Sequence, residues 1–281
     1  MLRSLFHNPA DRLPTAIMVV FFIIQLTAYF FVDSLLLAIP LSILFMTLNS
    51  MSIAIGHNHC HCETFKSPAL NRIYEIPLYL QSGVSPYSWI IHHVIGHHRH
   101  YLEQSKDPSP WKRPSDGSTM GRWEYVWKNS LKMYPEVMGI VKNFPDLQRK
   151  FWLMFAVSNT VLLALIVHNP VNGIIFFLVP MLLMVLNLLD ATYPHHSGIY
   201  AEDEYHASRN NMHWLFNIFT WNLGYHTAHH MWPELHWTLL PDKHEEIKEN
   251  IPPELILNNY FWKPNKPSDE SASSSVYGMA E

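Results

Sequence analysis

Three stretches of this 281-residue chain contain no Asp, Glu, Lys or Arg: 13–32, 34–56 and 151–189. A helix needs roughly 20 mostly apolar residues to cross the hydrocarbon core of a bilayer, so the first two stretches each supply one span and the third supplies two. The third is expected to turn at His168-Asn169-Pro170, because proline disfavours helix at the residue before it and Asn/Pro pairs favour turns. Asp33 marks the corresponding turn of the first pair. The expected fold is therefore all-α and integral to a membrane, with four transmembrane helices at about 13–32, 34–56, 151–168 and 171–189 forming two hairpins. Average composition conceals this, since 48% hydrophobic residues is ordinary for a globular protein.

The 19 Lys and Arg residues give an orientation. Arg3 and Arg12 precede the first hairpin, twelve lie between the hairpins from Lys66 to Lys150, and five follow the second from Arg209 to Lys266, so neither hairpin tip carries one. The positive-inside rule then puts both termini and the middle segment in the cytoplasm, of either a bacterial inner membrane or an endoplasmic reticulum. A secretory signal peptide fits the first stretch poorly, because the stretch is too long and a second follows directly. A net charge of -4, with no basic patch interleaved with aromatics, argues against nucleic acid as a partner. Segments 57–150 and 190–264 are expected to form a cytoplasmic helical cap, one domain with the spans over 1–264. The composition of 265–281 reads as a disordered tail. Within the cap, 76–91 is uncharged but broken by Pro77, Gly83 and Pro86, and is expected at the membrane interface or dipping partly inward.

The cap holds clustered histidines. In HNHCH, His57 and His61 are four apart and share a helix face just beyond the second span, while His59 points roughly the other way, toward solvent or a supporting role. In HVIGHHRH, His93 and His97 share a face with His98 beside them; His92 and His100 are supports, and His100 is also a rival ligand. His226, His229 and His230 repeat the pattern at i, i+3 and i+4, and one of His195 and His196, beyond the last apolar stretch, can close the site. One HxxxH pair occurs often by chance, but three clusters on one membrane face point to metal. Zinc sites close with three or four protein ligands, so eight or nine imidazoles imply two ions. Imidazole suits Zn, Cu, Fe and Ni alike. The first cluster lacks the glutamate of an HExxH protease. Cys60 and Cys62 are two apart and no other cluster adds a cysteine, so they read as small packing residues. A metal transporter is the non-enzyme alternative, but its ligands would lie within the spans, and here they lie outside.

HNHCH, HVIGHHRH with the following Asp107-Pro108, and GYHTAHHMWPELHW together resemble the three histidine boxes of the membrane fatty-acid desaturase and hydroxylase superfamily. The resemblance runs from about the second span to His244. It implies two non-haem irons under a four-helix membrane cone, with O2 as co-substrate, acting on a fatty-acyl or alkyl chain. It implies iron ligation, and hence the catalytic role, for His57, His61, His93, His97, His98, His226, His229 and His230. The ninth ligand falls at His196, whose Ser197-Gly198 resembles the family's histidine-x-glycine turn, with His195 as rival. Many acyl desaturases have two residues before the histidine pair of the second box; three separate His93 from His97, as in alkane hydroxylases. The third box, with Pro233, His236-Trp237 and Leu240-Pro241, is closer to acyl desaturases. Desaturation is the favoured reading, with hydroxylation, or decarboxylation to a terminal alkene, as alternatives. No haem-binding domain is visible in the chain, so electrons are expected from a separate ferredoxin, rubredoxin or cytochrome.

Other polar residues have expected roles. Asp190, at the end of the last span, is a candidate to hold a ligand's outer nitrogen, and Asn187, Asn222 and His236 are further candidates. Trp111, Lys112 and Arg113 are candidates to meet an acyl carboxylate or carrier phosphate, or else lipid.

Overall fold

The computed structural model describes residues 5–258; the expected disordered tail lies outside the described residues. Among the described residues, four helices are long and apolar enough to cross a membrane. The first is α1 (Arg12–Phe31), entered by a 3-10 turn at Pro9–Asp11 that the Asn8 side chain caps by accepting from the Ala10 amide. After three connecting residues α2 (Leu35–His61) begins, and it continues without a break through His57 to His61. The third is α6 (Pro145–His168). The fourth starts as α7 (Pro170–Gly173), widens into a π-helical segment at Ile174–Leu178 and continues as α8 (Val179–His196). It thus carries His195 and His196 on its own last turn, beyond the expected end of the span at 189. Large apolar side chains such as Ile23, Phe31, Leu36, Leu163 and Leu182 face outward along these helices, which suits hydrocarbon surroundings.

The few polar residues inside the apolar stretches have structural work. A π-helical turn leaves carbonyls without their usual partners. Gln25 donates to the carbonyl of Phe176 and Ser42 to that of Ile175, so α1 and α2 supply the missing bonds. At the connections, Asn172 donates to the carbonyls of Tyr29 and Val32, and the Tyr29 hydroxyl donates to that of Leu165. Both short connections therefore meet at one end of the bundle, opposite the histidine-bearing ends of α2 and α8.

Segment 76–91 is buried or half-buried along its length. Pro77 is accommodated within α3 (Pro68–Ser82), whose last turn, Leu80 to Ser82, is fully buried against α2, α6 and α8. The helix stops at Gly83 (φ +75°), where a Cβ would stand 2.3 Å from the Met181 carbonyl, so glycine lets α3 end directly against α8. The chain then enters a second π-helical segment, Ile90–His97, continued by α4 (His98–His100). A loop leads to α5 (Arg122–Val141), which packs along α8. After α8 come β1 (Asn210–Asn211), α9 (Trp214–Thr220), α10 (His226–Met231), α11 (Leu240–Ile247) and β2 (Ile256–Leu257), with β1 and β2 forming a short parallel pair. His236 ties this region to the other end of the sequence: its Nε2 lies 3.0 Å from Asp11 Oδ1, which also accepts from the Trp237 indole.

Candidate metal centre

Four chain segments converge at the ends of α2 and α8. His57 and His61 come from α2, His93 and His97 from the π-helical segment, His98 from α4, His196 from α8, and His226, His229 and His230 from α10. Ligand atoms of His57, His61, His93, His98 and His229 all lie within 4.8 Å of one another; those of His97, His196 and His230 form a second such group. His226 adjoins the second, its Nε2 3.0 Å from His196 Nε2 and 3.2 Å from His230 Nε2. The groups touch where the rings of His98 and His230 stack at 4.3 Å.

The second cluster owes its geometry to π winding. The His98 amide donates to the His93 carbonyl, five residues back. That places two rings five apart side by side, with their Nε2 atoms at 3.1 Å. The long spacing of the second box, which an α-helix would send partly around its axis, is absorbed by the wider turn. The third cluster is held by asparagines. Asn210 accepts from the Thr227 amide and donates to its hydroxyl, while Asn217 donates to the Asn211 carbonyl and accepts from the Gly224 amide. At Gly224 a Cβ would stand 2.1 Å from the Asn211 carbonyl oxygen, so only glycine allows this approach to α10.

The donor set fits metal ions. Nitrogens bound to one ion at about 2.0–2.1 Å stand about 2.9 Å apart at right angles and about 3.4 Å apart in a tetrahedron. Nε2 atoms of His196, His226 and His230 form a triangle with sides of 3.0, 3.1 and 3.2 Å, and the His98 to His229 separation is 3.0 Å. A neutral imidazole has only one N–H to donate. His196 directs Nδ1 at the Ala207 carbonyl (2.9 Å), which fixes the proton there and leaves Nε2 as a bare lone pair facing the others. Likewise His97 Nδ1 lies 3.0 and 3.1 Å from the two oxygens of buried Asp107. These histidine groups could hold metal.

Asp107 takes the place expected for Asp190. The latter instead pairs with Arg122 at the start of α5. Burial alone would raise the Asp107 carboxyl, but its interaction with His97 and the hydrogen bond from the Ser109 amide outweigh it and hold it below the usual carboxylate range. Replacing Asp107 with asparagine keeps an acceptor but removes the charge, and is expected to weaken metal binding by about 10- to 100-fold in a chelator-competition titration. An unchanged affinity would leave Asp107 without a role at the centre.

The remaining candidates stand apart from the two groups. His195 stacks on His226 at 3.8 Å and faces the Arg209 carbonyl, behind the converging nitrogens. His92 lines an apolar chamber, and His100 belongs to neither group. His236 bonds Asp11, away from the rings, and Asn222 donates to the Trp237 carbonyl. Asn187 lines a second apolar chamber beside the rings. His59 is buried, not in solvent, and contacts Thr64 and Glu75. Cys60 and Cys62 lie outside both groups. Sequence reasoning missed Tyr101, whose ring lies 4.2 Å from that of His230, and Trp89, edge-on to His57. Nothing local in the sequence marks either, whereas Asp107 was visible only as part of the Asp-Pro pair after the second cluster.

Burial holds His93, His98, His226, His229 and His230 well below the ordinary imidazole value, with neighbouring histidines adding to the effect. It brings His92 down to about 4. Such a ring stays neutral in the fold while the unfolded chain, titrating near pH 6.5, takes up protons. The stability is therefore complete above about pH 6.5 and is lost as pH falls through the depressed folded values. Metal-free protein is expected to melt at lower temperature with each step below about pH 6.5. A melting temperature constant down to about pH 5 would contradict burial of neutral rings.

Two apolar chambers flank the rings. One is lined by Val84, Trp111, Tyr125, Met133 and Leu189; the other by Ile53, Ala54, Ala191, Phe216 and Leu223. Trp89, His93, His97, Leu188, Thr192 and His196 border both. Both chambers thus reach the histidine rings.

The family model described as fatty acid desaturase matches residues 34–262, which contain every histidine of both groups. No curated protein matches the chain.

Proposed function

This chain belongs to the fatty acid desaturase family, a family of oxidoreductases, and from that membership we propose that it is an O2-dependent di-iron enzyme that introduces a carbon-carbon double bond into a fatty-acyl chain. The observation that carries the reading is the convergence of nine imidazoles in two adjoining groups beside apolar chambers. His57, His61, His93, His98 and His229 would hold one iron and His97, His196, His226 and His230 the other. Bound there, two irons with dioxygen supply the one-electron oxidant that an unactivated C–H bond demands and no side chain provides.

The protein's own part is placement. Asp107 and the Ala207 carbonyl hold protons on the outer nitrogens of His97 and His196, keeping the inner nitrogens unprotonated. Apolar walls such as Leu188 and Trp89 keep water from the reacting carbons and align the chain. In net terms a CH2–CH2 unit gives up two hydrogens. Those, with two electrons and two protons from a donor, convert O2 to two waters. The donor is a separate ferredoxin, rubredoxin or cytochrome.

The four long helices sit in the bilayer as two hairpins, and the metal centre faces the cytoplasm with the basic residues. Residues 1–264 act as one domain. Hydroxylation, or decarboxylation to a terminal alkene, is the second reading. The three-residue spacing between His93 and His97, as in alkane hydroxylases, favours hydroxylation. Supplying reconstituted protein with fatty acids, acyl thioesters and alkanes, then analysing products by mass spectrometry, separates the cases. Loss of two mass units marks desaturation and gain of sixteen marks hydroxylation. Absence of any oxidised chain from iron-loaded, reduced protein would sink the proposal.

A further inference from the structure

A third cavity, of about 290 Å³, lies on the cap side of the centre. Unlike the two apolar chambers it is lined by polar groups, among them Lys112, Gln104, Tyr101, Tyr200 and Glu202. His196 borders all three cavities, and Trp111 borders this one and the first apolar chamber. One side of the site is thus polar, the other apolar, and a ring of the metal centre stands where they meet.

The basic residues near this cavity differ in availability. Arg113 is committed: it forms a two-pronged pair with Glu124 and donates to the Ser118 hydroxyl and the Thr119 carbonyl. Lys112 is half-buried, and its ammonium has no carboxylate within 4.0 Å among the described residues. Its stem passes over Gly117, and its charge rests 5.1 Å from the centre of the Tyr200 ring, itself anchored to the Gly117 carbonyl. A partly desolvated ammonium beside an aromatic face is a receptor for an anion. Glu202, the acidic residue on the wall, is exposed at its outer edge.

Resting on the proposed acyl-chain oxidation, we infer that this cavity holds the anionic head of the substrate, a carboxylate or a phosphate bound by Lys112. The tail passes Trp111 and His196 into the apolar chambers. The metal centre then faces carbons close to the head, because His196 borders the head cavity itself. Lys112 sets the register of oxidation by anchoring the end from which the carbons are counted.

Binding to the full-length protein in nanodiscs tests the anchor without requiring turnover. Dodecanoate, dodecyl phosphate and methyl dodecanoate compete against a fluorescent fatty acid for wild type, Lys112→Met and Lys112→Arg. At least one anion is expected to bind more tightly than the ester, and whichever it is identifies the head as carboxylate or phosphate. Lys112→Met is expected to weaken that anion about tenfold, leave the ester unchanged, and be rescued by Lys112→Arg. Equal binding of anions and ester by wild type, or equal losses for both in Lys112→Met, would overturn the assignment. Under turnover, chains of 12, 14 and 16 carbons are expected to be oxidised at one position counted from the head. A position counted from the methyl end overturns the register. If iron-loaded protein oxidises nothing, the enzymatic reading fails, while the binding comparison still decides whether Lys112 anchors an anion.

Discussion

Replacing His229 with alanine is expected to remove one of the two irons and to abolish turnover, whereas replacing His59 with alanine leaves both metal content and turnover in place. His229 Nε2 stands 3.0 Å from that of His98, inside a group of five rings, so its loss leaves a gap in the ligand set. His59 is two residues from His57 and equally buried, yet it faces Thr64 and Glu75. Its loss removes the buried contacts to Thr64 and Glu75, the latter keeping its pair with Arg72, and costs on the order of 1–3 kcal/mol of stability, visible as a lower melting temperature. Metal analysis of both purified variants distinguishes the roles. Equal loss of iron from the two would overturn the division between ligand and support.

Gly224→Ala is expected to be nearly as damaging although the residue bears no chemistry. A Cβ there would lie 2.1 Å from the Asn211 carbonyl oxygen and 2.5 Å from Asn217 Oδ1. Both belong to the network that positions α10, so either β1 or α10 must move. Overpacking of this kind costs roughly 1–3 kcal/mol. A displacement of about 1 Å at a reacting centre can cost on the order of 100-fold in rate. Turnover should therefore fall far more than stability. Wild-type activity in Gly224→Ala would show that the Asn211 contact does not position the third cluster.

The spans were legible because charge is excluded from hydrocarbon, and the uncharged stretches coincide with the long helices α1, α2, α6 and the α7 to α8 run. The three histidine clusters were legible because helical spacing puts ligands on one face. Contacts between distant segments were not. Asp190 and Arg122 are 68 residues apart, and no local pattern shows that this arginine captures the carboxylate and leaves the histidine-supporting role to Asp107. The π-helical winding of Ile90–His97 was equally hidden, since it depends on packing and not on the order of residues. Pro77 and Gly83 marked a break, but the burial of α3 follows from its fit against α8, which only the assembled bundle shows. Likewise Lys112 and Arg113 are neighbours in sequence, and only the pairing of Arg113 with Glu124 separates their roles.

We propose two irons, one for each of the two adjoining groups of imidazoles. Elemental analysis of the purified full-length protein, counting iron, zinc and copper per chain, tests it most directly. Close to two irons per chain are expected; a single zinc, or no bound metal after expression in iron-replete cells, would overturn the di-iron centre.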